Sequence, residues 1–157
     1  MINKLNEINL DIKRCETVLK ENDYLEIVIA IEELHDKYKN IIDDISNINS
    51  NVVWNYSKKD VEKIQTILNE YKEKLIFNEN QKSIEEKIKD LKLYIENNNI
   101  LDKDKLIDII LLIEDTNKSN KTLDEKWEKL KECLDLIKTK EREISTRFLE
   151  IIVLITK

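Results

Sequence analysis

Apolar residues recur along this chain at steps of three and four, and clusters of asparagine interrupt them. That spacing is the primary signature of amphipathic helices. Ile2, Leu5, Ile8, Ile12, Cys15 and Leu19 form one stripe and predict a helix over 2–20. Tyr24, Ile27, Val28, Ile31, Leu34, Tyr38, Ile41, Ile42 and Ile45 predict a second over 24–46, with a face wide enough for a globular core. Val61, Ile64, Leu68, Tyr71 and Leu75 predict a third over 58–77, and Ile84, Ile88, Leu91 and Ile95 a fourth over 83–96, while NENQKS between them is also compatible with one continuous helix. A fifth over 103–116, with Asp102 as its N-cap, is apolar over most of its circumference and reads as the central helix. From Leu123 the pattern Trp127, Leu130, Leu134, Ile137, Glu141, Ile144, Phe148, Ile151, Ile155 alternates steps of four and three without a slip. A heptad seam of that length predicts a C-terminal helix of about 34 residues, or about 50 Å.

Local signals mark the ends. Thr122-Leu-Asp-Glu125 has the form of a capping box. Ser57 with Asp60, flanked by Tyr56 and Val61, has the form of a capped start with a hydrophobic staple. Asparagine clusters at 21–23, 47–51, 78–80, 97–99 and 117–120 fall where helices should stop, because asparagine tolerates the left-handed conformation there.

Composition strengthens the helical reading. The 157 residues contain no glycine and no proline, against an average expectation of about 11 and about 8. A fold built on tight hairpins could hardly dispense with glycine. The prediction is an all-α bundle of five to six helices in a single domain over 1–157. An N-terminal helical pair spans 1–50, a crossover 51–57, and the remaining helices 58–157.

The chain carries 27 basic and 33 acidic residues, a net charge of −6, and no basic run that would neutralise phosphates. Nucleic acid is therefore not an expected partner. No apolar run approaches the ~20 residues of a membrane span, and the N-terminus does not read as a signal peptide. No membrane partner is expected. Cys15 and Cys133 lie far apart and read as reduced, buried thiols. The expected location is cytoplasmic.

Candidate chemistry is sparse. Di-iron bundles need two Glu-x-x-His motifs, and Glu32 with His35 supplies one, His35 being the sole histidine. Zinc-type ligand spacing is missing among Cys15, His35 and Cys133. Phosphate loops need glycine, and a nucleophilic triad needs a base beside its serine or cysteine. Glu32-Glu33-x-x-Asp36 resembles the acidic helix motif of the all-α nucleotide pyrophosphohydrolases, where clustered carboxylates hold magnesium. That motif continues on the next helix. Here the second Glu-x-x-Asp pair, Glu132 and Asp135, lies about a hundred residues on.

Two stretches are read either as packing within the fold, which the pattern favours for both, or as contact surfaces for a partner. In FLEIIVLITK, residues Leu149, Ile152, Val153 and Leu154 fall outside the heptad seam that holds Phe148, so these turns are apolar nearly all round. In the crossover, Val53 and Trp54 lack helical spacing. The expected function is a non-enzymatic protein-binding module of inhibitor, immunity or adaptor type, with no cofactor. Its contact candidates are Phe148, Leu149, Ile152, Val153, Leu154, Val53 and Trp54. The alternatives are a self-assembling homodimer and a metal-dependent nucleotide hydrolase using Glu32, Glu33 and Asp36.

Overall fold

The computed structural model describes residues 2–48 and 55–157, the side chain of Ile2 excepted. Val53 and Trp54 therefore lie outside the described residues. Every regular element among the described residues is a helix: α1 (Ile2–Glu21), α2 (Tyr24–Tyr38), α3 (Asp43–Ser46), α4 (Lys58–Asn97), α5 (Lys103–Lys118), α6 (Leu123–Ile137) and α7 (Arg142–Ile155). The all-α expectation holds, with seven helices where five to six were predicted. The chain divides into two compact units, Met1–Phe77 and Asn78–Lys157, and α4 contributes to both.

In the first unit α1 presents Ile8, Ile12, Cys15 and Val18 to a core shared with Ile27, Ile31 and Leu34 of α2 and Val61, Ile64 and Leu68 of α4. Asn22 ends α1 in the left-handed conformation (φ 57°), the role expected of asparagine in a chain without glycine. Asp23 then caps α2 by accepting from the backbone amides of Leu25 and Glu26 at 2.8 and 3.2 Å. α2 stops at Tyr38, short of the predicted 46. The amides of Ile41 and Ile42 both turn back to the Tyr38 carbonyl, and Ile42 is extended before the short α3. The Tyr38 hydroxyl donates to Asp11 of α1 at 2.6 Å, and Lys37 pairs with the same carboxylate at 2.6 Å. Burial and this hydrogen bond push the Tyr38 phenol well above its ordinary value. At the start of α4, Asp60 accepts from the Ser57 backbone amide at 2.7 Å, and Tyr56 and Val61 are both buried in the first core.

α4 corrects the predicted break at 78–80: it is one helix of 40 residues. Asparagine in a helix interior costs well under 1 kcal/mol, whereas each helix end leaves four carbonyls to be satisfied. Gln81 is also anchored within the second unit, accepting from the Asn117 side-chain amide at 2.7 Å and donating back to it at 3.4 Å.

The C-terminal region brings the main correction. No helix runs from 123 to 155; the longest is central, and the heptad stretch is a pair, α6 and α7, split at 138–141. The turn satisfies the carbonyls that a continuous helix would have used. Lys140 donates its backbone amide to Ile137 at 2.9 Å, Thr139 its hydroxyl to Leu136 at 3.0 Å, and Ser145 its hydroxyl to Ile137 at 2.8 Å. Glu141, the charge that interrupts the seam, is the N-cap residue of α7. Part of the seam nevertheless stays in phase across the turn. Leu130, Ile137, Ile144, Phe148, Ile151 and Ile155 are buried in the second core, with Cys133 beside them, Leu106, Ile110 and Ile113 of α5 and Ile84, Ile88, Leu91 and Ile95 of α4. The seam positions Leu123 and Trp127 are 56% and 39% exposed, and Leu134 is only partly buried.

The capping box of α6 is present, with the Glu125 amide donating to the Thr122 hydroxyl at 3.3 Å and the Thr122 amide to the Glu125 carboxylate at 2.9 Å. Asp102 stands before α5 as predicted but does not cap it. Its backbone is left-handed (φ 61°), and its carboxylate pairs with Lys140 at 2.9 Å. α5, expected from its sequence to be the central helix, buries Leu106, Ile109, Ile110 and Ile113 but leaves Leu111 53% exposed.

Candidate functional site

The C-terminal apolar stripe divides once its helix is placed. Phe148 and Ile152 belong to the second core, 0% and 2% exposed, and Leu154 packs partly buried against it. Leu149 and Val153 do not follow them inward: they remain 43% and 54% exposed. Four residues apart, they lie one above the other on the helix face, with Thr146 and Arg142 continuing that face toward the N-terminus of α7.

On the adjoining flank of α7 lies an open cleft of about 520 Å³, lined by Arg142, Glu143, Thr146, Arg147 and Glu150. Three of its four charged side chains are engaged. The Arg147 guanidinium donates to Glu143 at 2.9 Å and stacks 4.3 Å from the Tyr94 ring centroid, and Lys87 pairs with Glu150 at 2.5 Å. The hydrogen bond from Arg147 holds the Glu143 carboxyl below its ordinary range, and that from Lys87 does the same for Glu150. Desolvation, with Glu143 nearby, raises the Tyr94 phenol. A carboxylate depressed in the folded state contributes stability above its unfolded pKa and loses it as pH falls through the folded value. Urea midpoints should therefore hold from neutrality to about pH 5 and decline below about pH 4, the ordinary carboxylate range. The double change Glu143→Gln and Glu150→Gln should make that acid slope shallower; an unchanged slope would show that these pairs carry no part of it. Both carboxylates are exposed, so the difference is small and shrinks with added salt.

A second groove, of about 500 Å³, runs between α5 and the α6–α7 turn over Ile109, Leu112 and Leu136, rimmed by Asp102, Lys105 and Lys140. Its rim charges are paired with one another. Asp108 and Thr139 also line it, and the Thr139 hydroxyl donates to the Leu136 carbonyl.

The acidic positions of the hydrolase alternative sit on α2. Glu33 pairs with Arg14 of α1 at 2.7 Å, and Asp36 with Lys39 at 2.5 Å, which holds the Asp36 carboxyl below its ordinary value. Glu32 and His35 are half-buried beside them. Among the described residues no three His, Cys, Asp or Glu side chains converge where they could hold a metal ion. Both cysteines are free and fully buried, and desolvation raises the Cys15 thiol to about 11 and lifts Cys133 above its ordinary value. No helix among the described residues is long and apolar enough to cross a membrane.

Periodicity does not single out the exposed face of α2, where Leu25 and Ile29 are 59% and 36% exposed. A running count of charge along the chain is the signal that finds it, because acidic residues crowd around these two positions. Comparison of the chain with protein-family models, with curated proteins and with solved structures gives no match in any of the three.

Proposed function

We propose that this chain is a cytoplasmic, non-enzymatic protein-binding module of the inhibitor, immunity or adaptor kind, acting through apolar helix faces. The observation that carries the reading is the pair Leu149 and Val153 on α7, exposed while the core directly beneath them is closed by Phe148 and Ile152. Neighbouring apolar side chains left in water on a well-packed helix mark a surface for another protein better than they mark a reaction centre.

The test begins with solution mass by light scattering across a concentration series, for the natural chain and for Leu149→Lys with Val153→Lys. Lysine suits this position, since a cation near a helix C-terminus is favourable and its stem still covers apolar surface. The double variant should keep its helical content and lose no more than about 1 kcal/mol of stability. A monomeric natural chain should then capture a protein from its host that the variant fails to capture. Equal capture by both removes α7 as the contact surface, and a natural chain that dimerises where the variant does not makes the face a self-interface.

A further inference from the structure

The net charge of this protein is not spread along it. Residues 21–44 hold eight acidic and two basic side chains, a net of −6, which leaves the rest of the chain with 25 acidic (33 less 8) and 25 basic (27 less 2). The entire formal charge thus sits on α2 and its flanks. At 100° per residue the buried positions Ile27, Ile31, Leu34 and Tyr38 define one side of α2, and Leu25, Ile29, Glu32 and Asp36 fall on the opposite side. Leu25 is 59% exposed there, with Ile29 beside it at 36%. Two of the surrounding carboxylates have local cations, Glu33 with Arg14 and Asp36 with Lys39. Glu26 and Glu32 form no ion pair among the described residues.

We infer that the outer face of α2 docks a basic amphipathic helix of another protein. Leu25 and Ile29 meet its apolar stripe, and Glu26 and Glu32 face its lysines or arginines. Charge selects this occupant. A second copy of the chain would bring two segments of net −6 together, which like-charge repulsion opposes. Nucleic acid and anionic membranes are repelled on the same ground. A helix suits the face because its two apolar contacts lie four residues apart, the spacing that ridges of a crossing helix engage. This surface belongs to the first unit and stands apart from the reading of α7.

The probe is a fluorescent peptide of about 18 residues, long enough for an amphipathic helix, with leucines at helical spacing and lysines elsewhere. Its anisotropy is followed on titration with the full chain. A matched peptide with glutamate for lysine should not bind. Leu25→Ala with Ile29→Ala leaves all charges in place and should weaken binding about tenfold. Glu26→Gln with Glu32→Gln should weaken it about fivefold and flatten its salt dependence. Glu70→Gln with Glu73→Gln, the same charge change on exposed positions of α4, should alter it less than about twofold. Undiminished binding by the Leu25/Ile29 variant overturns the inference. So do equal losses from the two glutamate pairs, which would show general attraction of a cation to an acidic protein.

Discussion

Replacing Phe148 by alanine should lower the stability of the C-terminal unit by about 3–5 kcal/mol, the range for removing a buried aromatic ring from a packed core. The side chain is 0% exposed and lies among Ile144, Ile151 and Ile152 of its own helix, Leu130 and Ile137 of α6, and Ile110 and Ile113 of α5. Four helices, α4 to α7, contribute to that core, so no single side chain can move to fill the void and the cavity term is kept. Two natural reporters make the loss local. Cys133 lies in the same core and Cys15 in the core of the first unit, each 0% exposed. Alkylation of Cys133 in the folded protein should accelerate by about a hundredfold or more, as the population of opened molecules rises with the lost free energy. Cys15 should keep its natural rate. Retention of full stability in Phe148→Ala would mean that the ring is not the keystone its burial implies. Equal acceleration at both thiols would mean that the loss is not confined to the second core.

The contrast within two turns of α7 shows what the sequence makes legible. Phe148, Leu149, Ile152, Val153 and Leu154 are alike in hydropathy, and the sequence pattern offers all five as contact residues. Periodicity does separate them, since Phe148 continues the seam and Leu149 and Val153 do not. The burial of Ile152 outside the seam depends on how α7 lies against its neighbours, which no local rule supplies. Caps were more readable, because a capping box is complete within four residues: Thr122 and Glu125 form theirs as predicted.

Continuity of helices was the weakest reading, and in both directions. Ile137 and Ile144 are seven apart and stay in phase across a turn, so the heptad reports a shared face and says nothing of the chain between. The hint lay in Glu141, a charge at a seam position, flanked by Thr139 and Ser145 whose hydroxyls serve the turn. In α4 the step of nine from Leu75 to Ile84 breaks the period, and the asparagines nearby made an end look natural. A helix serving two cores need not keep one stripe along its length, so a lost period there does not require a lost helix. The α2 face escaped for a different reason. Over the whole chain a net charge of −6 is mild; over 24 residues the same −6 is a strong local field.

Asn80→Pro decides the continuity of α4 directly, and its expected cost is about 3 kcal/mol. Inside a helix, proline removes the amide bond to the carbonyl four residues earlier and its ring presses on that carbonyl. Had the helix ended near 78–80 and restarted afterwards, residue 80 would stand near a helix start, where proline is tolerated or favoured. The two arrangements therefore differ by most of that cost at a single position. Asn120→Pro serves as the control. It falls between α5 and α6, and the preceding Ser119 has φ −70° and ψ 145°, the extended conformation that proline demands of the residue before it. The control should stay within about 1 kcal/mol of the natural chain. In Asn80→Pro the urea midpoint should fall and helical ellipticity should drop, because the residues on either side lose their common hydrogen-bond ladder. The amide pair between Gln81 and Asn117, one residue from the substitution, should loosen with it. An Asn80→Pro protein as stable as the control would place a helix end within 78–80, and the asparagine cluster would then be the terminator that its composition suggests.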